Sequence, residues 1–206
     1  MSSAIASCYY GIGFVATLWL ALAWVGARLR GSRCSRAMLW GIGAAVLAVA
    51  LVPFAGLSLW RWGLSIWPNP SVPLVGLAGL ALWRHLGGRI MFSRADHRVA
   101  WIFGAVAGSA LGLQTLSPVA LDLYRWGWDG LVAVGAVSAL AVFLFARGNR
   151  FGILLLAAIL AWALGALETS NLWDYVVDPI YWLASLGAGL NAWREKRGTA
   201  PAAPAV

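Results

Sequence analysis

The side chains best suited to chemistry gather in the second half of the chain. Glu168 closes an uninterrupted apolar run over 151–167. Partial desolvation there would raise a carboxyl pKa and suit it to proton transfer. Asp174 and Asp178 stand four apart, so a single helix would carry both on one face. With Glu168 they form a catalytic candidate set, and their oxygens are of the type that holds a divalent cation. Each acid also has a plainer role open to it. Glu168 can meet headgroups and water at a helix end, and Asp174 can be a solvated acid. Asp178, followed by Pro179, can cap a new helix. Proline favours the cap, because the residue before it avoids helical geometry.

Arg61 and Arg125 form a second set, with Trp60 and Trp126 beside them. A guanidinium between aromatic rings can grip a phosphate or lipid headgroup while the rings stack or anchor. Pairing with neighbouring acids is the alternative. Gln114, Thr115, Ser117, Asp122, Tyr124, Asp129, Thr169, Ser170, Asn171, Tyr175 and Tyr181 complete the polar inventory around these residues. Neither a Cys/His metal spacing nor a complete catalytic motif accompanies them, so no metal and no cofactor is expected. Cys8 and Cys34 fall on opposite faces of the topology below, and no bond between them is expected.

Composition indicates what must position such residues. Of 206 residues, 62% are hydrophobic and 11% charged, where a soluble domain carries about 25% charged. That balance excludes a soluble enzyme, a disordered chain and a disulfide-stapled domain, and predicts an all-α, polytopic bundle of membrane helices. Seven apolar segments fit: 9–27, 37–59, 72–83, 99–116, 131–146, 151–167 and 180–193. Together they form one membrane domain over 1–197, followed by a small, Pro/Ala-rich tail over 198–206 read as disordered. Pro53 reads as a kink within the second segment. The first ten residues lack the charge and apolar run of a signal peptide.

Charge orients the bundle. With seven spans and the N-terminus outside, thirteen of the fifteen basic residues face the cytoplasm, and only Arg61 and Arg125 lie outside. If 72–83 did not span, the best split would fall to ten against five. Basic loops stay cytoplasmic, so seven spans are preferred. The net charge of +8 then reflects topology, and no nucleic acid is expected as a partner. Asp122, Asp129, Glu168, Asp174 and Asp178 fall on the outer side. Acids contribute little to insertion, so their segregation hints at a functional face. The fourteen Trp residues crowd predicted helix ends, as interfacial belts do.

A faint repeat relates 59–63 to 123–127, and both segments hold an outer arginine. Gly104, Gly108 and Gly112 are spaced four apart and would let another backbone approach closely. Packing within the bundle is the preferred reading, and docking of a partner protein is the other. The Trp60-Arg61 pair resembles the outer-loop pair of rhomboid-type intramembrane proteases. Those need a histidine within a span, and here His85 and His97 both lie in one loop. The sequence therefore predicts a multi-pass inner-membrane protein acting as a non-catalytic subunit or scaffold, accessory to envelope or lipid-linked glycan assembly. The alternative is a lipid-handling enzyme or transporter built on the outer acids and the Arg-Trp pairs. Membrane lipids are partners under either reading.

Overall fold

The computed structural model of the chain describes residues 2–32, 34–114, 122–128 and 130–198. Thr115, Ser117, Asp129 and the tail beyond Gly198 lie outside these residues. Nine α-helices account for most of what is described: α1 (Ser2–Arg30), α2 (Arg36–Leu51), α3 (Leu59–Gly63), α4 (Val72–His85), α5 (Arg94–Gln114), α6 (Leu131–Ala146), α7 (Phe151–Ala163), α8 (Leu172–Val176) and α9 (Pro179–Gly198). The all-α expectation holds, and a helix stands at each of the seven expected positions. Length is the point of difference. Ala6–Leu29 is the one stretch among the described residues both long and apolar enough to cross a membrane, while Arg36–Leu51, Leu131–Ala146 and Phe151–Ala163 are apolar but shorter. At ~1.5 Å per residue, a 14-residue helix such as α4 reaches ~21 Å against a hydrocarbon core of ~30 Å.

The expected kink at Pro53 is corrected. Val52 adopts an extended ψ of 125° ahead of the proline, which ends α2 at Leu51. Strands β1 (Pro53–Phe54) and β2 (Leu57–Ser58) then pair antiparallel, Pro53 against Ser58 and Phe54 against Leu57. Ala55 and Gly56 form the turn at φ 48° and 84°. Positive φ at both central residues is what a tight hairpin with right-handed twist requires. The second segment is thus a helix, a hairpin and the short α3, instead of one long span.

One buried cluster runs from Ala6 and Tyr10 to Tyr181, with Phe151, Leu155 and Ala158 of α7 fully enclosed, and Leu39, Val46 and Ala50 of α2 are buried outside it. Helix α7 lies against α6, α4 and α8. The most extensive interhelical pairing joins α5 to α9, which run antiparallel. Glycines permit it: a Cβ at Gly104 would collide with Ser185 and Tyr181, and one at Gly108 would collide with the Trp182 ring. The small-residue stripe is therefore covered within this chain at Gly104 and Gly108, while Gly112 opens onto a cleft.

Side chains cap the starts of α5 and α9. Asp178 Oδ1 accepts from the Ile180 and Tyr181 backbone N–H groups at 2.8 and 3.0 Å, so the Asp178-Pro179 cap forms as expected. Its other oxygen accepts from the Ser71 N–H at 2.8 Å and ties the start of α9 to that of α4. At α5, Ser93 and Asp96 cap reciprocally: the Ser93 N–H donates to Asp96 Oδ2 at 2.6 Å, and the Asp96 N–H donates to Ser93 Oγ at 3.1 Å. Asp96 Oδ1 also accepts from the Arg150 N–H at 2.8 Å, joining this helix start to the α6–α7 turn.

Candidate functional site

The far end of the α5/α9 pair opens into a cleft of about 660 Å³, within the ~300–1,000 Å³ of typical small-molecule sites. Its walls are Leu111, Val177, Trp173 and Trp182, the last packed on Gly108, and Gly112 leaves the space beside it open. Its polar rim is Gln114, Asp122, Tyr124 and Asp174.

Each rim group is held by a neighbour. Gln114 Nε2 donates to Asp122 Oδ1 at 2.7 Å, and Gln114 Oε1 accepts from the Leu123 N–H at 2.9 Å. Asp122 Oδ1 also accepts from the Arg125 N–H at 3.0 Å. The Tyr124 hydroxyl donates to Asp174 Oδ1 at 2.9 Å, and Thr169 Oγ1 donates to Asp174 Oδ2 at 2.7 Å. Burial and then the Asp174 charge push the Tyr124 phenol up to about 12, so it stays a neutral donor at physiological pH. Behind the rim, fully buried Asn171 accepts from the Trp173 N–H at 2.9 Å and donates to the Tyr124 carbonyl at 3.1 Å. The Trp173 indole donates to the Leu123 carbonyl at 2.9 Å, which fixes one wall against the rim. Tyr175 accepts from the Leu167 N–H at 3.0 Å and donates to the Thr169 carbonyl at 3.0 Å. Burial first, then Asp174, raises its pKa, and the Leu167 N–H partly offsets them.

The expected site residues are divided by this geometry. Asp174 and Asp178 both border the cleft, but on separate elements, α8 and the start of α9. Asp178 is spent on the cap and on Ser71, and little of it reaches solvent. Glu168 does not join them. Helix α7 ends at Ala163, five residues before Glu168, so the glutamate side chain is exposed instead of desolvated at a helix end. Its N–H donates to the Tyr10 hydroxyl at 2.8 Å. Among the described residues no group of three His, Cys, Asp or Glu is arranged to hold a metal ion.

Arg61 and Trp60 sit on α3, which packs on α1 and α2. The Arg61 guanidinium lies 5.5 Å from the Trp60 ring centre, a cation–π contact between chain neighbours. Arg125 and Trp126 occupy a single 3-10 turn at Arg125–Gly127 that packs on α6. Neither arginine borders the cleft. Trp126 instead helps line a smaller apolar cavity of about 150 Å³ under the same turn. The two Arg-Trp pairs thus stand apart, and the cleft rim is acidic without them.

Asp96, which the sequence does not mark as a site residue, is nearly fully buried. Burial alone would raise its pKa. Hydrogen bonds from Ser93 and Arg150, with the Arg150 charge, outweigh that and hold it below the usual aspartate value. The Ser93-Arg94-Ala95-Asp96 spacing is the signal that could have found it. Comparison with protein-family models, curated proteins and solved structures finds no match to the chain.

Proposed function

We propose that the chain is a multi-pass inner-membrane protein of seven spans, N-terminus outside and C-terminus cytoplasmic, serving as a non-catalytic subunit or scaffold. Its apolar surface supports the membrane reading: Leu131, Val142, Phe143 and Leu160 are each more than half exposed. The bonding between helix ends supports the alternation. Segments expected outside bond to one another: Tyr9 to the Pro70 carbonyl, Tyr10 to Asn69 and Glu168, Asp178 to Ser71. Segments expected inside do the same: Asp96 with Arg150, Asn149 with the Ala95 carbonyl. Short spans are accommodated by local bilayer thinning. Assembly of the envelope or of lipid-linked glycans is the setting proposed for this scaffold.

One observation carries the non-catalytic role. Three of the outer carboxylates act as structural acceptors: Asp178 caps α9, Asp174 holds Tyr124 and Thr169, and Asp122 holds Gln114 and the Arg125 N–H. A second reading, handling of a lipid-like amphiphile, is favoured by the apolar cleft behind its acidic rim. In that reading Asp122 and Asp174 receive a cationic or zwitterionic head, and Trp173 and Trp182 line the tail.

Single-cysteine labelling in a Cys8→Ser/Cys34→Ser background tests the topology. Ser170→Cys is expected to react with an impermeant reagent in intact cells, and Ser32→Cys only after permeabilisation. Reaction of both from the same side, or recovery of the chain in the soluble fraction, would overturn it. Copurification then separates the roles. For a scaffold, Asp174→Asn and Glu168→Gln leave the co-purifying set unchanged. For the second reading, Asp174→Asn reduces retained amphiphile.

A further inference from the structure

We propose that a groove at the opposite end of the α5/α9 pair binds an anionic phospholipid. Its phosphate sits among Arg84, Arg94 and Arg98, and an acyl chain runs past Trp101, Ile102 and Gly189. This site rests on the membrane reading above and is separate from the acidic cleft.

The groove measures about 980 Å³. Arg94 and Arg98 are one helical turn apart at the start of α5, and Arg84 closes α4 beside them. No hydrogen bond or ion pair engages these three guanidiniums among the described residues. Other arginines at this end are engaged: Arg150 donates to the Met91 carbonyl at 2.5 Å, and Arg197 lies 3.9 Å from the Trp193 ring centre. Glu195 is the single acid on the groove wall, so the balance of charge favours an anion.

Three like charges converging at a low-dielectric surface repel one another, and a phosphate relieves the repulsion through charge-assisted bonds. The rest of the wall makes the ligand a lipid. Beyond the arginines the groove is lined by Trp101, Ile102 and small residues of α9, Ala188 and Gly189 among them. A Cβ at Gly189 would have no heavy atom within 4 Å. Free phosphate would leave that apolar trough wetted, whereas an acyl chain fills it. The positive-inside orientation places this end at the cytoplasmic leaflet, where basic residues attract anionic headgroups.

Native mass spectrometry of the full chain in nonionic detergent tests the proposal, with phosphatidylglycerol, phosphatidylcholine and glycerol phosphate as probes. Phosphatidylglycerol is expected to be retained at least about tenfold better than phosphatidylcholine. Glycerol phosphate alone is expected to be lost. Arg94→Gln/Arg98→Gln should abolish the preference, and Arg61→Gln/Arg125→Gln should leave it. Gly189→Phe keeps every charge but fills the trough, and should lower retention of phosphatidylglycerol; it serves where the double glutamine variant does not fold. Equal retention of the two lipids by the wild-type chain would overturn the site. So would an equal loss in the Arg61/Arg125 pair, or unchanged retention in Gly189→Phe. Glycerol phosphate held as tightly as the lipid would replace the lipid with a free phosphate ester. Failure of the membrane reading registers separately, as a chain soluble without detergent.

Discussion

The two ends of the α5/α9 pair use charge in opposite ways. At the end that holds the acidic cleft, Asp122 and Asp174 are engaged by Gln114, Tyr124 and Thr169 before any ligand arrives. At the opposite end Arg84, Arg94 and Arg98 border a larger groove without such partners among the described residues. The difference originates in the connections. The stretch between α7 and α9 folds back through α8 and brings polar side chains onto the rim. The turn from α4 to α5 instead directs its polar bonding away from the groove, with Ser93 and Asp96 closing on each other and on Arg150. One helix pair thus carries a rim that is internally satisfied and a rim that is not.

The sharpest way to break this comparison is at the α5/α9 contact between the two sites. Gly104→Leu places atoms into Ser185 and Tyr181, and is expected to cost about 1–3 kcal/mol or more by overpacking. Thermal unfolding in detergent should show a lower midpoint, with loss of lipid retention as well. An unchanged midpoint would mean that the two sites do not depend on a common contact. Asp178→Ala, which removes a cap and the tie to Ser71, is expected to cost about 1–2 kcal/mol, partly recovered by Asp178→Asn. That loss should leave the preference for anionic lipid intact.

Acid should act on the basic end of the α5/α9 pair through Asp96. Its folded pKa lies below the ordinary aspartate value, so its contribution is complete at neutral pH. The contribution fades as pH falls below about 4 and through the lowered folded value. Melting midpoints across that range should drop for the wild-type chain and flatten for Asp96→Asn. Tyr124→Phe is expected to cost roughly 0.5–1 kcal/mol, since it removes one hydrogen bond at a partly exposed rim. The same variant should remove a phenol ionising at about 12 from a tyrosinate absorbance titration. Smallest of all, Gly112→Leu projects into open space and should change stability by less than about 0.5 kcal/mol. A large loss there would show the acidic cleft to be narrower than its walls suggest.

Local rules were legible in the sequence wherever one residue type decides the geometry. Asp178-Pro179 was readable as a cap because proline removes the helical alternative for the residue before it. The same rule at Val52-Pro53 ends a helix, and it was outweighed there by the length of the apolar run. The segment 131–146 matches α6 residue for residue because Gly130 and Arg147 bound an uninterrupted apolar stretch. The expected desolvation of Glu168 fails in the same way as the run across Pro53. Gly165, at φ 60° just past the C-cap Leu164, is the stop signal for α7, and the apolar run 151–167 outweighs it in the sequence. Arg84, Arg94 and Arg98 were counted as topology markers, because their convergence depends on α4 and α5 meeting at one end of α9. Tertiary contact of this kind has no one-dimensional signature.

Order of synthesis gives the α9 docking contact a further meaning. The ribosome completes α5 long before it makes residues 179–198, so the glycine face at Gly104 and Gly108 waits uncovered. When the last helix arrives, both cavities along α5 acquire their second wall in one event. A chain that stops short of Pro179 would therefore lack the α9 wall of both cavities together, however well its first eight helices had folded.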